Sequence, residues 1–263
     1  MRTGFAALGC AIWITGCYYP VPEPVPQPYV APRPYVRPPP IPYSTEVRWP
    51  TGTQRATVIL LHGLMGDASQ MMDMGQFTFM SGPLSEHVKF VSVNAPNRSW
   101  FDMLTSDLNE MNRRIQNRQE VVDRFSLDRA MDRIVTIIDR EAAQLPADHS
   151  QVYLVGYSQG AMLALWTALM GERSLGGVVL LSGSLPIINF GRIKFQGLSV
   201  PILHIHGSLD ANVPIANAQG GAELVRAAGN SNYDFRIEYG GFHEPKFEAK
   251  WQVRNWLVQK IGL

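Results

Sequence analysis

The chain has 263 residues, of which 46% are hydrophobic, and 23 Lys and Arg stand against 22 Asp and Glu. A balance so close to neutral excludes electrostatic binding to nucleic acid, and the length suits one sizeable core. Both cysteines fall within the first 17 residues, which excludes a disulfide or a thiol nucleophile from everything after them.

Residues 1–17 open with Arg2, run through the apolar stretch GFAALGCAIWI and close on Ile14-Thr15-Gly16-Cys17. The apolar stretch is shorter than the ~20 residues of a bilayer span, so it reads as a signal peptide. Ile-Thr-Gly-Cys resembles the lipobox of bacterial lipoproteins. That resemblance implies a lipid anchor on Cys17, with a palmitate-type acyl group, and a membrane-attached location in the cell envelope, facing the periplasm or the exterior. An uncleaved anchor or an ordinary signal peptide is the alternative. Residues 18–43 hold 11 of the 19 prolines, and so many missing N–H donors exclude helix and sheet ladders. This segment reads as a stiff spacer that reaches up to about 80 Å in polyproline II. Residues 44–263 are left as the folded domain.

Within it, residues 57–61 (TVILL) have the pattern of a strand covered on both faces. The turn His62-Gly63-Leu64-Met65-Gly66-Asp67 follows. Glycines there let a backbone approach a substrate, and the N–H of Leu64 or Met65 is a candidate oxyanion donor. His62, at a strand end beside glycine, reads as a residue that orients the turn. The Met and Phe run of residues 68–80, Phe77 included, reads as a soft acyl-contacting wall or as one apolar helix face. Residues 88–93 (VKFVSV) predict the next strand, and Trp100 and Phe101 in the loop beyond it are candidate pocket residues. Residues 106–123 read as a solvated surface segment. Ser126 is read as the cap of a helix that runs to about Gln144.

Residues 151–170 (QVYLVGYSQGAMLALWTALM) are the most informative stretch. A buried strand runs through Gly156-Tyr157-Ser158-Gln159-Gly160 into an apolar helix, which is Gly-x-Ser-x-Gly in strand-turn-helix context. A serine hydroxyl is a poor nucleophile, so it must stand on a sharp turn that exposes Oγ to a base and to a carbonyl. A Cβ at position 156 or 160 would crowd that crossing. The pentapeptide alone is weak evidence, since a serine that only caps a helix matches it too. Its surroundings strengthen it. Residues 177–181 (GVVLL), 201–206 (PILHIH) and 233–239 (YDFRIEY) predict three further strands in a mostly parallel sheet with helices on both faces. Asp210 lies in the loop after the second of these and His243 in the loop after the third. Ser158, Asp210 and His243 thus occur in the chain order that this fold uses for nucleophile, acid and base, with the N–H of Gln159 as the second oxyanion donor. A final helix over residues 246–261 is expected to pack Phe247, Trp251, Trp256 and Leu257 inward.

These motifs together resemble the phospholipase/carboxylesterase family of α/β-hydrolases, which includes acyl-protein thioesterases. The resemblance spans residues 57–263 and rests on His62-Gly63-Leu64, residues 98–102 (RSWFD), the serine pentapeptide, residues 181–186 (LSGSLP), the stretch from His206 to Pro214, and Tyr239-Gly240-Gly241-Phe242-His243. It implies an α/β-hydrolase fold, no metal or cofactor, and hydrolysis of an acyl ester through an acyl-enzyme on Ser158, with carboxylesterase, lysophospholipase and thioesterase activities among the readings. Met65 makes the oxyanion turn one residue longer than the family's pattern, and the loop between Ala95 and Arg98 lacks the segment that helps form an acyl tunnel. Long acyl chains are therefore not expected. The alternatives are a catalytically silent, envelope-tethered binding protein of the same fold and a dienelactone-hydrolase-like or peptidase-like relative. Nothing in the sequence indicates an oligomeric state.

Overall fold

The computed structural model describes residues 43–263 except 77, 118, 147 and 187–196. The expectations for Cys17, for residues 18–42 of the proline-rich spacer and for Phe77 therefore lie outside the described residues, while Tyr43, the last residue of that spacer, packs against the core. Strands β1 (Thr45–Arg48), β2 (Ala56–Leu61), β3 (Val88–Val93), β4 (Val152–Tyr157), β5 (Gly177–Leu181), β6 (Ile202–Gly207) and β7 (Tyr233–Glu238) form one sheet in the order β1-β3-β2-β4-β5-β6-β7. β1 runs antiparallel to β3, and every other neighbouring pair is parallel.

Strands β2 to β6 are mostly apolar along their length because both faces are covered, whereas the edge strands β1 and β7 are partly exposed. Alternate residues enter different cores: Ile59, Leu61, Leu154, Val178 and Ile202 pack on one side, and Val58, Leu60, Val155, Val179 and Leu203 on the other. The first core is completed by α4 (Arg124–Ala142), α5 (Gln159–Met170) and α6 (Ile215–Ala227). The second is completed by α1 (Ala68–Gln76), α2 (Pro83–His87) and, after α6, the C-terminal helix Phe247–Ile261. This is the doubly covered, mostly parallel sheet of an α/β-hydrolase.

Two local expectations are corrected, the cap of α4 and the packing of Phe247. The helix α4 is capped by Asp123, whose side chain accepts from the Ser126 N–H at 2.7 Å, while Ser126 lies inside the first turn. The segment read as solvated surface is exposed or half-buried at most of its described residues, as expected, and carries a helix, α3 (Leu108–Gln116). In the C-terminal helix, α7, Trp256 and Leu257 are buried as expected, but Phe247 is 56% exposed at its start.

Candidate active site

The C-terminal ends of β2, β4, β6 and β7 all open on one edge of the sheet, where parallel sheets place their ligands. β4 turns into α5 at Ser158, whose φ of 53° and ψ of −117° are unusual for a residue with a side chain. Holding it there costs about 1–3 kcal/mol. Its N–H donates to the Leu181 carbonyl of β5 at 2.9 Å, which anchors the turn to the sheet. The flanking glycines are needed for space. A Cβ on Gly156 would lie 2.3 Å from the Gly160 carbonyl oxygen, and one on Gly160 would lie 2.2 Å from that of Leu61.

Asp210 and His243 converge on this turn from the loops after β6 and β7. His243 Nε2 is 2.9 Å from Ser158 Oγ, and His243 Nδ1 is 2.8 Å from Asp210 Oδ2. A carboxylate only accepts, so Nδ1 carries the proton and Nε2 is free to accept one from the serine. Burial alone would raise the Asp210 carboxyl, but hydrogen bonds from His206 and His243 and from the Val213 N–H hold it well below the usual carboxylate range. Its second oxygen accepts from the N–H groups of Asn212 and Val213, each at 2.9 Å. The carboxylate is therefore ionised and fixed in orientation.

Leu64 and Gln159 line the cavity together with Ser158, and among the described residues neither backbone N–H has a carbonyl acceptor in a turn or loop. Met65 differs: its N–H donates to the Arg98 carbonyl at 2.8 Å, so this residue, although its place in the turn suggested it, cannot serve an oxyanion. The turn itself is held by His62. Its Nδ1 donates to the Gly63 carbonyl at 2.7 Å, and its Nε2 accepts from the Ala95 N–H at 3.0 Å.

A cavity of about 610 Å³ lies over Ser158 and His243. Phe101, Met103, Met111, Met162 and Val213 supply its apolar lining, and Gln70, Asp102, Thr105 and Asn212 its polar one. Trp100 is corrected. It is 3% exposed, lies beneath the oxyanion turn against the His62 ring at 4.9 Å, and donates Nε1–H to the His62 carbonyl at 2.7 Å. The Gln159 side chain has a part that its sequence position did not reveal. Buried beside the serine, it accepts from the Trp100 N–H at 3.0 Å and donates to the Phe101 carbonyl at 2.9 Å, so the pocket wall is tied to the first turn of α5.

Two buried histidines contribute to the pH response of the fold. Burial lowers His62, against an opposing hydrogen bond to Gly63. Burial, reinforced by His206, holds His204 well below the ordinary range. A histidine that stays neutral when folded takes up a proton only on unfolding. Stability is then complete above the unfolded value of about 6.5 and falls as pH drops from there toward the folded value. Urea unfolding at pH 5 is therefore expected to show a lower midpoint than at pH 7, with His204 alone contributing up to about 1.4 kcal/mol per pH unit. An equal or higher midpoint at pH 5 would contradict this.

Comparison with known proteins gives the family. The model of the phospholipase/carboxylesterase family matches residues 43–257. Acyl-protein thioesterase 1 of Saccharomyces cerevisiae is 28% identical over 223 residues, covering 79% of this chain and 94% of that protein. A probable inactive carboxylesterase of Oryza sativa is 28% identical over 217 residues, covering 78% and 84%. Among solved structures, esterase PE8 superposes with a TM-score of 0.67 at 25% identity over 83% of this chain and 99% of its own. Acyl-protein thioesterase 2 of Zea mays shares the fold, with a TM-score of 0.66 at 23% identity over 83% and 99%. A match across most of the folded domain, on a sheet with Ser158 at its β4–α5 turn, makes this chain a member of the phospholipase/carboxylesterase family of α/β-hydrolases, which are carboxylic ester hydrolases.

Proposed function

We propose that the chain is a serine esterase working through Ser158, His243 and Asp210. The observation that carries this reading is the continuous series from Ser158 Oγ through His243 to Asp210, at 2.9 and 2.8 Å, opening on a cavity of substrate size. Ser158 Oγ attacks the ester carbonyl while His243 Nε2 takes its proton. The oxyanion is held by the N–H groups of Leu64 and Gln159. His243 returns the proton to the departing alcohol, and water, activated by the same nitrogen, then releases the acid. Asp210 keeps the imidazole in the productive tautomer and stabilises its cationic form.

The substrate class follows from the cavity wall and the N-terminus. Ala95 to Arg98 form only a short turn, with Pro96–Arg98 in a 3-10 helix, so the apolar lining comes from elsewhere, from Leu64, Phe101, Val213 and a few methionines. Short and medium acyl esters are the proposed substrates. The lipobox-like Cys17 adds attachment to the cell envelope, where small esters, lipids or acylated polymers are met rather than cytosolic thioesters.

A fluorophosphonate probe tests the assignment directly, because it phosphonylates only an activated serine. The full chain is expected to be labelled and Ser158→Ala to be unlabelled. Equal labelling of the two, or none of the wild type, would refute the reading and favour a silent binding protein. On p-nitrophenyl esters, a preference for the longest chains would overturn the substrate class alone.

A further inference from the structure

Behind Asp210 lies a second series of polar groups that the reaction as described does not use. His204 and His206 are both fully buried on β6, on the face that packs against α6. His206 Nε2 is 2.8 Å from the Val213 carbonyl and 3.3 Å from Asp210 Oδ2, the same oxygen that receives His243 Nδ1–H. His206 Nδ1 is 3.3 Å from His204 Nε2, and His204 Nδ1 is 2.9 Å from the Tyr233 hydroxyl on β7.

The proton positions follow from what each partner is able to do. The Val213 carbonyl and the Asp210 carboxylate only accept, so His206 Nε2 must carry a hydrogen shared between them. A second proton on His206 would leave a cation in the core beside another imidazole. Its Nδ1 is therefore an acceptor, His204 donates to it through Nε2–H, and the Tyr233 hydroxyl donates to His204 Nδ1. The neutral state of His204 agrees with this arrangement. The result is one directed chain, Tyr233 to His204 to His206 to Asp210, which meets the series from the serine at a single carboxylate oxygen.

We propose that His206 is a positioning residue for the esterase reaction, holding Asp210 Oδ2 toward His243, and that His204 and Tyr233 act through it by locking its tautomer. This rests on the reading of Ser158, His243 and Asp210 given above. The neighbours of the series are accounted for. Asp210 faces His206, His243 and Tyr157; His206 faces His204 and the Phe235 ring; His204 faces Tyr233, Phe235, the Gly183 carbonyl and the charge of Arg226. Arg226 is itself engaged with the Tyr233 carbonyl at 2.9 Å. His206 is thus the donor that completes the coordination of Oδ2.

The donor also sets how strongly Asp210 pulls on the imidazole. Removing it leaves a more basic carboxylate, which favours the protonated form of His243. The acid limb of the kcat/KM profile, which reports that protonation, then moves to higher pH. In the full chain, His206→Leu is expected to lower kcat by about 10- to 100-fold, with KM within about 2-fold of wild type, the size expected for losing one hydrogen bond to a charged group. The acid limb should move upward. His206→Gln, which keeps an N–H near the Nε2 position, should recover most of the loss and return the limb toward its wild-type place.

A merely structural histidine would change the amount of folded protein without moving that limb. Wild-type kcat and an unmoved acid limb in His206→Leu would overturn the inference. Where His206→Leu does not fold, long-range 1H–15N NMR of the histidine-labelled wild type decides: His206 is expected as the Nε2–H tautomer, and a proton on Nδ1 would overturn the chain of donors. A wild type that hydrolyses no ester would overturn the esterase reading and this inference with it, whereas the other two outcomes overturn the inference alone.

Discussion

Ser158→Ala and His243→Ala are each expected to lower kcat toward a short-chain ester on the order of 10⁶-fold, and the double variant to be no worse than either. The non-additivity follows from the geometry. Ser158 Oγ is a useful nucleophile only while His243 Nε2, 2.9 Å away, takes its proton, so removing either group removes the same step. The N–H groups of Leu64 and Gln159 survive in all three variants and are expected to leave a residual rate about 10³- to 10⁴-fold above water. Asp210→Asn is expected to cost about 10⁴-fold, because an amide N–H aimed at Nδ1 would drive the imidazole to the tautomer that cannot accept from serine. Steady-state kinetics on one ester with all four variants checks this. Additive losses in the double variant would mean that the serine and the imidazole act independently, contrary to their hydrogen bond.

The parts of the molecule legible in the sequence are those specified by local chemistry. Strands β2 to β6 could be read because burial on both faces demands unbroken apolar runs, β7 because its residues alternate, and the order of Ser158, Asp210 and His243 could be read because each follows one of these strands. β1 could not. It has four residues, its middle two are exposed, and its place in the sheet is set by pairing with β3 across 40-odd residues of sequence, a tertiary fact. Trp100 failed for a related reason. An aromatic in a loop after a strand can face the cavity or the core, and what decides it here is the reach of its indole N–H to the His62 carbonyl, 38 positions away. Ser126 and Asp123 are both good caps three residues apart, and only the geometry, with Asp123 accepting from the Ser126 N–H, distinguishes them. His204 and His206 lie within β6, where sequence alone gives no tie to the site. Their relation to the site appears only when β6 is registered against β7, which brings Tyr233 within reach of His204, and when the turn after β6 folds Asp210 back onto His206.

Gly160→Ala is expected to destabilise the fold by at least about 3 kcal/mol, the upper end of the cost of overpacking, and to lower esterase activity by more than about 100-fold. The added methyl would meet the carbonyl oxygens of Leu61 at 2.2 Å and of His62 at 2.5 Å. Where the obstacle is a flexible side chain, a rotamer change relieves such a clash. Here both obstacles are backbone at the end of β2, and that backbone is fixed on two sides. Leu61 is paired in the sheet to Val93 and Gly156, and the His62 carbonyl accepts from Trp100 Nε1–H. Relief therefore requires α5 to move away from β2, which carries the Gln159 N–H away from Leu64 and slackens the hold of the Gln159 side chain on Trp100 and Phe101. Stability and the oxyanion geometry fail together. Gly220→Ala supplies the contrast. Gly220 lies within α6 with nothing within 4 Å of an added Cβ, so alanine there is expected to stabilise by about 0.5–1 kcal/mol through helix propensity and leave activity unchanged. Urea unfolding of both variants separates the two kinds of glycine. A Gly160→Ala protein within about 1 kcal/mol of wild type would mean that α5 can slide on β2 without strain, and the close crossing of the serine turn would then have no bearing on how the site is held.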